Sequence, residues 1–294
     1  MSAAADATGF AAPVAPAHLG LFLFHCRPEL TEAAVSAGLD GVVVDWERRG
    51  KRERQAGWDT EINRQGPADL RQVADLGFTS VLCRVNRLGP STVEEVEAAL
   101  GEGATELLLP MVERPAEVEA LLEMVRGRVP VGILVETRES LEHLPAFSRL
   151  PLSRVYAGLN DLAISRGTRS VFTALVDGTI CRVRATLSHP FGVAGATHPD
   201  RGSPIPCRLI LAELARLGCG FTFLRRSFYR DTPPKRFGET VRAIREAFDV
   251  LARRGPTQRS IDRSELQRRV AEAEEGSVPS FDPGSTAVAS EDRP

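Results

Sequence analysis

The sequence predicts a (β/α)8 barrel, a TIM barrel of one domain with a flexible tail at each end, and three observations carry that expectation. Short apolar runs rich in Val, Leu and Phe recur eight times between residues 19 and 254, each followed by a helical pattern. The runs are continuously apolar, as strands buried on both faces of a parallel sheet must be. Eight strand–helix units in a stretch of this length match the usual size of such a barrel. An open doubly wound sheet is the competing architecture. It usually carries a Gly-rich phosphate turn after its first strand, and HCRPEL (25–30) is not one.

The units follow in order. LGLFLFHC (19–26) precedes PELTEAAVSAG, and GVVVDWE (41–47) precedes PADLRQVADLG. TSVLCRVN (79–86) leads into STVEEVEAALGEG, and ELLLPMV (106–112) into PAEVEALLEMVRG. VPVGILVE (129–136) is followed by TRESLEHLPAFSRL, and SRVYAGLND (153–161) by a helical stretch at 170–187. HPFGVAGATH (189–198) precedes PCRLILAELARLG, and CGFTFLRR (219–226) precedes FGETVRAIREAFDVLARRG. Proline near the first helical turn (Pro28, Pro67, Pro115, Pro206) and glycine after the last (Gly38, Gly77, Gly218) punctuate the helices. Residues 1–18 are Ala-rich and read as a tail without the basic start of a signal peptide. In the extension 255–294, RSELQRRVAEAEE could add a helix. The Pro/Ser/Gly/Asp-rich remainder reads as disordered.

Composition narrows the function classes. A net charge of −2 over 294 residues gives no support for nucleic acid or an anionic membrane as partner. No apolar run approaches the roughly 20 residues needed to span a bilayer. Five widely spaced cysteines (Cys26, Cys83, Cys181, Cys207, Cys219) form no CxxC pair, which points to free thiols in a reducing, cytoplasmic compartment and away from a zinc site.

Barrel enzymes work at the C-terminal ends of their strands. Read there, the chain presents His25, Asp45 and Glu47, Arg84 and Asn86, Glu136, Asn160 and Asp161, His198, and Arg225 and Arg226. Glu136 and Asp161 end neighbouring strands and can converge. Two carboxylates with positions left for water and substrate suit Mg2+ or Mn2+. Equally, each could cap the helix that follows it. Arg84 could bind a substrate carboxylate in bidentate fashion, or pair structurally with Asp45 or Glu47. Lys51 and Lys235 are the two lysines, and neither falls on a strand, which disfavours a Schiff-base mechanism.

VETRESLEHLPAFSRLPLSRVYAGLNDLAISRG (135–167) resembles the HpcH/HpaI aldolase and citrate lyase β-subunit family, with its strand-5 "ET" and a "G-x-x-DL" after strand 6. ELLLPMVERPAEVEAL (106–121), VLCRVN (81–86) and GLDGVVVDWE (38–47) are similar to that family's strands 4, 3 and 2. The resemblance implies a carbon–carbon lyase or aldolase acting on a 2-oxo acid and an aldehyde. Glu136 and Asp161 would hold Mg2+ or Mn2+, Arg84 the substrate carboxylate and enolate, and Asp45 and Glu47 the site floor. Backbone at Pro110 and Met111 would line the pocket, and Asn160 would contact substrate. It also implies a homo-oligomer, a trimer or hexamer, with a late helix such as 237–254 packing on a neighbour.

The chain departs from the family pattern after Glu47, where Arg48 stands in place of the usual histidine. A guanidinium is a poor proton acceptor. His198 or His25 could serve instead, although His25 reads rather as structural; a metal-bound water could; or Arg48 could bind an anionic group such as a carboxylate or phosphate. The run RRGKRERQ (48–55) could grip phosphates, although such runs are usually solvated loops. The direct helical connection between strands 4 and 5 resembles the citrate-lyase-like branch. An acyl-thioester enzyme related to citrate lyase or malyl-CoA lyase is therefore an alternative, and a non-catalytic barrel subunit is another.

Overall fold

Side chains alternate across a strand, so a barrel strand feeds two cores at once. That division organises the computed structural model, which describes residues 16–55, 57 and 63–276. The strands are β1 (Gly20–Leu23), β2 (Gly41–Asp45), β3 (Ser80–Arg84), β4 (Glu106–Leu109), β5 (Val131–Val135), β6 (Val155–Ala157), β7 (Phe191–Ala196) and β8 (Phe221–Leu224). They pair in chain order, all parallel, and β8 closes on β1. The predicted (β/α)8 barrel is the fold. Each strand is shorter than its apolar run, because the run's polar end leaves the ladder to build the rim.

Phe22, Val43, Leu82, Leu108, Leu134, Tyr156, Phe221 and Phe223 form the inner core. Their neighbours along the strands, such as Val42, Val44, Cys83 and Leu107, turn outward to the helices. β7 adds glycine to the interior. A Cβ on Gly192 would come within 2.7 Å of Phe221, so the small residue is what admits the ring. Below the aromatic layer, Arg154 pairs with Glu106 at 2.7 Å. Its guanidinium lies 4.8 Å from the Phe22 ring centre and 4.9 Å from that of Phe221, closing the N-terminal end.

The helices are α1 (Pro28–Ser36), α2 (Lys51–Arg54), α3 (Pro67–Ala74), α4 (Thr92–Gly101), α5 (Pro115–Val125), α6 (Arg138–Glu142), α7 (Leu144–Phe147), α8 (Leu159–Arg166), α9 (Thr173–Val176), α10 (Thr179–Thr186), α11 (Cys207–Arg216), α12 (Arg226–Asp231), α13 (Phe237–Ala252) and α14 (Pro256–Gly276). All five cysteines are free and buried. Among the described residues no helix is long and apolar enough to cross a membrane.

The helix expected in the extension is present: α14 packs on α11, with Leu266 and Val270 buried and Arg263 paired to Glu213 at 2.6 Å. Few apolar residues do this work, while Ile261 points outward, so the stretch reads as polar. α13 packs within its own chain and leaves Val250 on its outer face exposed. Its apolar side (Phe237, Val241, Ile244, Phe248, Leu251) is buried, and the helix packs on α11 and α1. One expectation needs correction: Asn160 and Asp161 end no strand. The chain turns at Gly158 and both lie in the first turn of α8, where an acidic residue suits the helix N-terminus. The expected tails at 1–15 and 277–294 lie outside the described residues.

Candidate active site

The register of β2 and β3 sets Asp45 opposite Arg84. Cross-strand neighbours on one face interact directly, and here they form a two-pronged ion pair at 2.8 and 2.9 Å. Glu47 adds a contact to Arg84 at 3.2 Å. Burial alone would raise the Asp45 carboxyl, but the charges and hydrogen bonds of Arg84 and Lys51 outweigh it and hold the group below the usual carboxylate range. Burial works against the Arg84 charge too, and Asp45 and Glu47 outweigh it. The structural pairing anticipated for Arg84 is therefore real, yet Arg84 still lines the cavity, and its Nη1 makes none of these bonds.

The short helix α2 supplies what the sequence reading assigned to a solvated loop. Lys51, Arg54 and Gln55 sit at i, i+3 and i+4, which places them on one helical face. Lys51 is only 3% exposed and pairs with Asp45 at 2.9 Å and with Glu47 at 3.6 Å. Its position off the strands thus did not keep it from the site, which corrects the argument made from lysine placement. Arg54 bridges Glu47 at 2.6 Å and Asp161 at 2.7 Å. Gln55 donates to both Asp161 oxygens, at 2.9 and 3.2 Å. Asn63 and Gln65 complete the setting of Asp45, through its side chain and its backbone N–H.

Glu136 follows β5 and is buried at the rim. Its Oε1 accepts the Met111 N–H at 2.9 Å. Met111 adopts a left-handed φ of 54°, an uncommon state for a side-chain-bearing residue and one that collects at functional sites. On the other side, a Cβ at position 158 would come 2.2 Å from Glu136 Oε2, so Gly158 is required there. Burial, then the charges of Asp161 and Glu47, push the Glu136 carboxyl up to about 8 against the opposing pull of Arg84. The cause is visible in the charge count. Four carboxylates (Asp45, Glu47, Glu136, Asp161) meet three cations (Lys51, Arg54, Arg84), and Glu136 is the one left without an ion pair.

These groups border a cavity of about 920 Å³ at the C-terminal mouth of the barrel. Arg84, Glu136, Asn160 and Asp161 line it, as expected. Asp45 and Glu47 lie behind the cations they hold and form no part of its wall. Three other expected contributions fall outside the lining, and His25 takes the structural place it was read for. Pro110 and Met111 stay outside the lining, with Met111 acting only through its N–H. Arg48 donates to the Gln65 carbonyl and braces the loop, since its own N–H is held by Asn86 at 2.8 Å. His198 sits beyond the β7 rim, where its Nδ1 accepts the Asp200 N–H at 3.3 Å. His25 packs edge-on against Tyr229, whose ring stands on the cavity wall. Among the described residues, no histidine lines this cavity.

A family model described as HpcH/HpaI aldolase/citrate lyase matches residues 18–185, more than half of the chain. The chain belongs to this family. For a member of the HpcH/HpaI family, the coarse activity is that of a lyase or aldolase acting on carbon–carbon bonds. A family protein from Burkholderia cenocepacia J2315 has a similar structure at 16% identity and TM-score 0.54, over 71% of this chain and 88% of its own. A citrate lyase from Burkholderia xenovorans LB400 is similar at 16% identity and TM-score 0.54, over 89% of this chain and 94% of its own. Citrate synthase SbnG is similar at 17% identity and TM-score 0.54, over 73% and 89%. At such identities the likeness shows the fold. The tryptophan synthase α subunit of Legionella pneumophila, at 14% identity and TM-score 0.52 over 79% and 93%, shares it too. A comparison with curated proteins found no match.

Proposed function

We propose that this HpcH/HpaI-family member is a divalent-metal-dependent lyase or aldolase that makes or cleaves the carbon–carbon bond of a 2-oxo acid through an enolate. One observation carries the reading. Glu136 and Asp161 meet beside Arg84 at one cavity, in a carboxylate cluster short of one positive charge. Mg2+ or Mn2+ suits such oxygen donors. Among the described residues no group of three or more His, Cys, Asp or Glu side chains could hold a metal, so water and substrate would complete the coordination. Asp161 is engaged by Arg54 and Gln55, and both would have to release it.

When bound, the ion would supply Lewis-acid polarisation of the substrate carbonyl. The chain's own residues do the rest. Arg84, fixed by Asp45 and Glu47, presents Nη1 to the substrate carboxylate and to the charge that develops beside it. Lys51 adds a second buried cation at the same end of the site. With histidine absent from the wall and Glu136 committed to the ion, Lys51 and solvent are the proton carriers.

A second reading, an acyl-thioester substrate, is favoured by cavity size. About 920 Å³ is more than a three-carbon acid needs, and the far wall is rich in arginine (Arg201, Arg225, Arg226, Arg230).

The deciding experiment is calorimetric titration of oxalate, a planar enolate mimic, into metal-stripped protein with and without Mg2+ or Mn2+. Binding that requires metal, and that Asp161→Ala abolishes, is the expected result. Absence of binding with either ion overturns the 2-oxo-acid reading and turns the search to thioesters.

A further inference from the structure

A guanidinium taken from water needs compensation, usually a carboxylate. Among the described residues, the three most buried arginines obey that rule. Arg84 pairs with Asp45, and Arg216 and Arg263 both pair with Glu213. Arg225, at the end of β8, does not. It is open to the cavity on one side and enclosed on the others, and among the described residues it forms no ion pair.

Its surroundings hold it in place without neutralising it. A Cβ at position 195 would come 2.7 Å from Arg225 Cγ, so Gly195 leaves the slot through which its stem passes. Its guanidinium lies 5.1 Å from the centre of the Phe172 ring, a favourable arrangement that supplies no counter-charge. Burial lowers its pKa, and the groups that oppose this are the Cys207 thiol and the Tyr156 hydroxyl, with no carboxylate among them. Arg201 lines the same cavity, and its charge acts on Asp231. The one carboxylate of that wall, Asp231, is taken by Arg230 at 2.7 Å.

We propose that Arg225 forms an oxyanion subsite for a second acidic group of the substrate, a carboxylate or phosphate on the fragment that Arg84 does not hold. The proposal deepens the lyase reading and rests on it for the word substrate. The subsite itself stands on the geometry of Arg225 alone. It gives the reaction a direction across the mouth of the barrel. One acidic end lies at the Arg84 carboxylate cluster and the other at the β8 wall, and the bond that is made or broken lies between them.

The test uses the full chain and two probes, inorganic phosphate and propionate, titrated calorimetrically into the wild type, Arg225→Gln and Arg225→Lys. Oxalate titration with Mg2+ serves as the control for the other end. The expected result is that at least one probe binds the wild type and loses at least tenfold in affinity in Arg225→Gln. Arg225→Lys should retain most of that binding, while oxalate affinity stays the same in all three proteins. Phosphate alone responding assigns a phosphate-bearing substrate; propionate alone assigns a carboxylate. Equal affinity in wild type and Arg225→Gln, or no binding of either probe to the wild type, overturns the subsite. Failure of oxalate to bind any of the three sinks the enolate reading and leaves an Arg225-dependent loss of phosphate intact, so the two failures separate.

Discussion

Glu136 is the residue on which the site's electrostatics turn. Its folded-state pKa of about 8 lies above the ordinary 4.5. Between those values the folded protein keeps a proton that the unfolded chain has lost, so stability falls as pH rises through that window and levels off above about 8. Below 4.5 both states are protonated and the term vanishes. Glu136→Gln removes the slope while keeping an acceptor for the Met111 N–H. Metal-free melting curves taken from pH 5 to 8.5 should show the variant gaining on the wild type as pH rises. A constant difference across that range would mean that Glu136 is not the strained carboxylate. Glu136 and Asp161 were legible as a pair because each ends an apolar run or follows one closely. The partnership of Asp45 with Arg84 was legible only as one of two options, since register decides it and register is a property of the closed sheet.

At the scale of elements, α2 was the main surprise. Its four residues, Lys51–Arg54, lie in a run of charge that sequence pattern assigns to solvent. The signal that could have corrected this was the i, i+3, i+4 spacing of Lys51, Arg54 and Gln55 just downstream of two rim carboxylates. Burying such charges becomes tolerable once Asp45, Glu47 and Asp161 are there to pair with them. Through Arg54 the helix sets a tethered cation on one of the two expected metal ligands. Arg54→Ala should therefore bind Mn2+ about tenfold more tightly, a shift of about 1.4 kcal/mol, as read from the free-ion signal in electron paramagnetic resonance. Unchanged affinity would show that the guanidinium offers the ion no competition. The strands tell the opposite story. Eight buried runs at regular spacing admit few architectures, which is why the barrel could be read before any contact was known.

Over the whole molecule, the folded body reaches past the eighth unit. α14 buries Leu266 and Val270 and brings Arg263 to Glu213, which also holds Arg216 on α11. Leu266→Ala should lower the unfolding free energy by about 2–4 kcal/mol in urea titrations, and a loss below about 0.5 kcal/mol would return the segment to the status of an appendage. The sequence hid this because long polar stretches with an occasional Leu or Val resemble a solvated helix, and only the partner surface on α11 reveals which face is covered. The floor of the barrel has a consequence of another kind. With Arg154 wedged against Phe22 and Phe221 above the Glu106 carboxylate, the N-terminal end of the barrel is plugged. The fragments a lyase makes therefore do not drain through the floor: they pass the same rim of arginines and carboxylates that received the substrate.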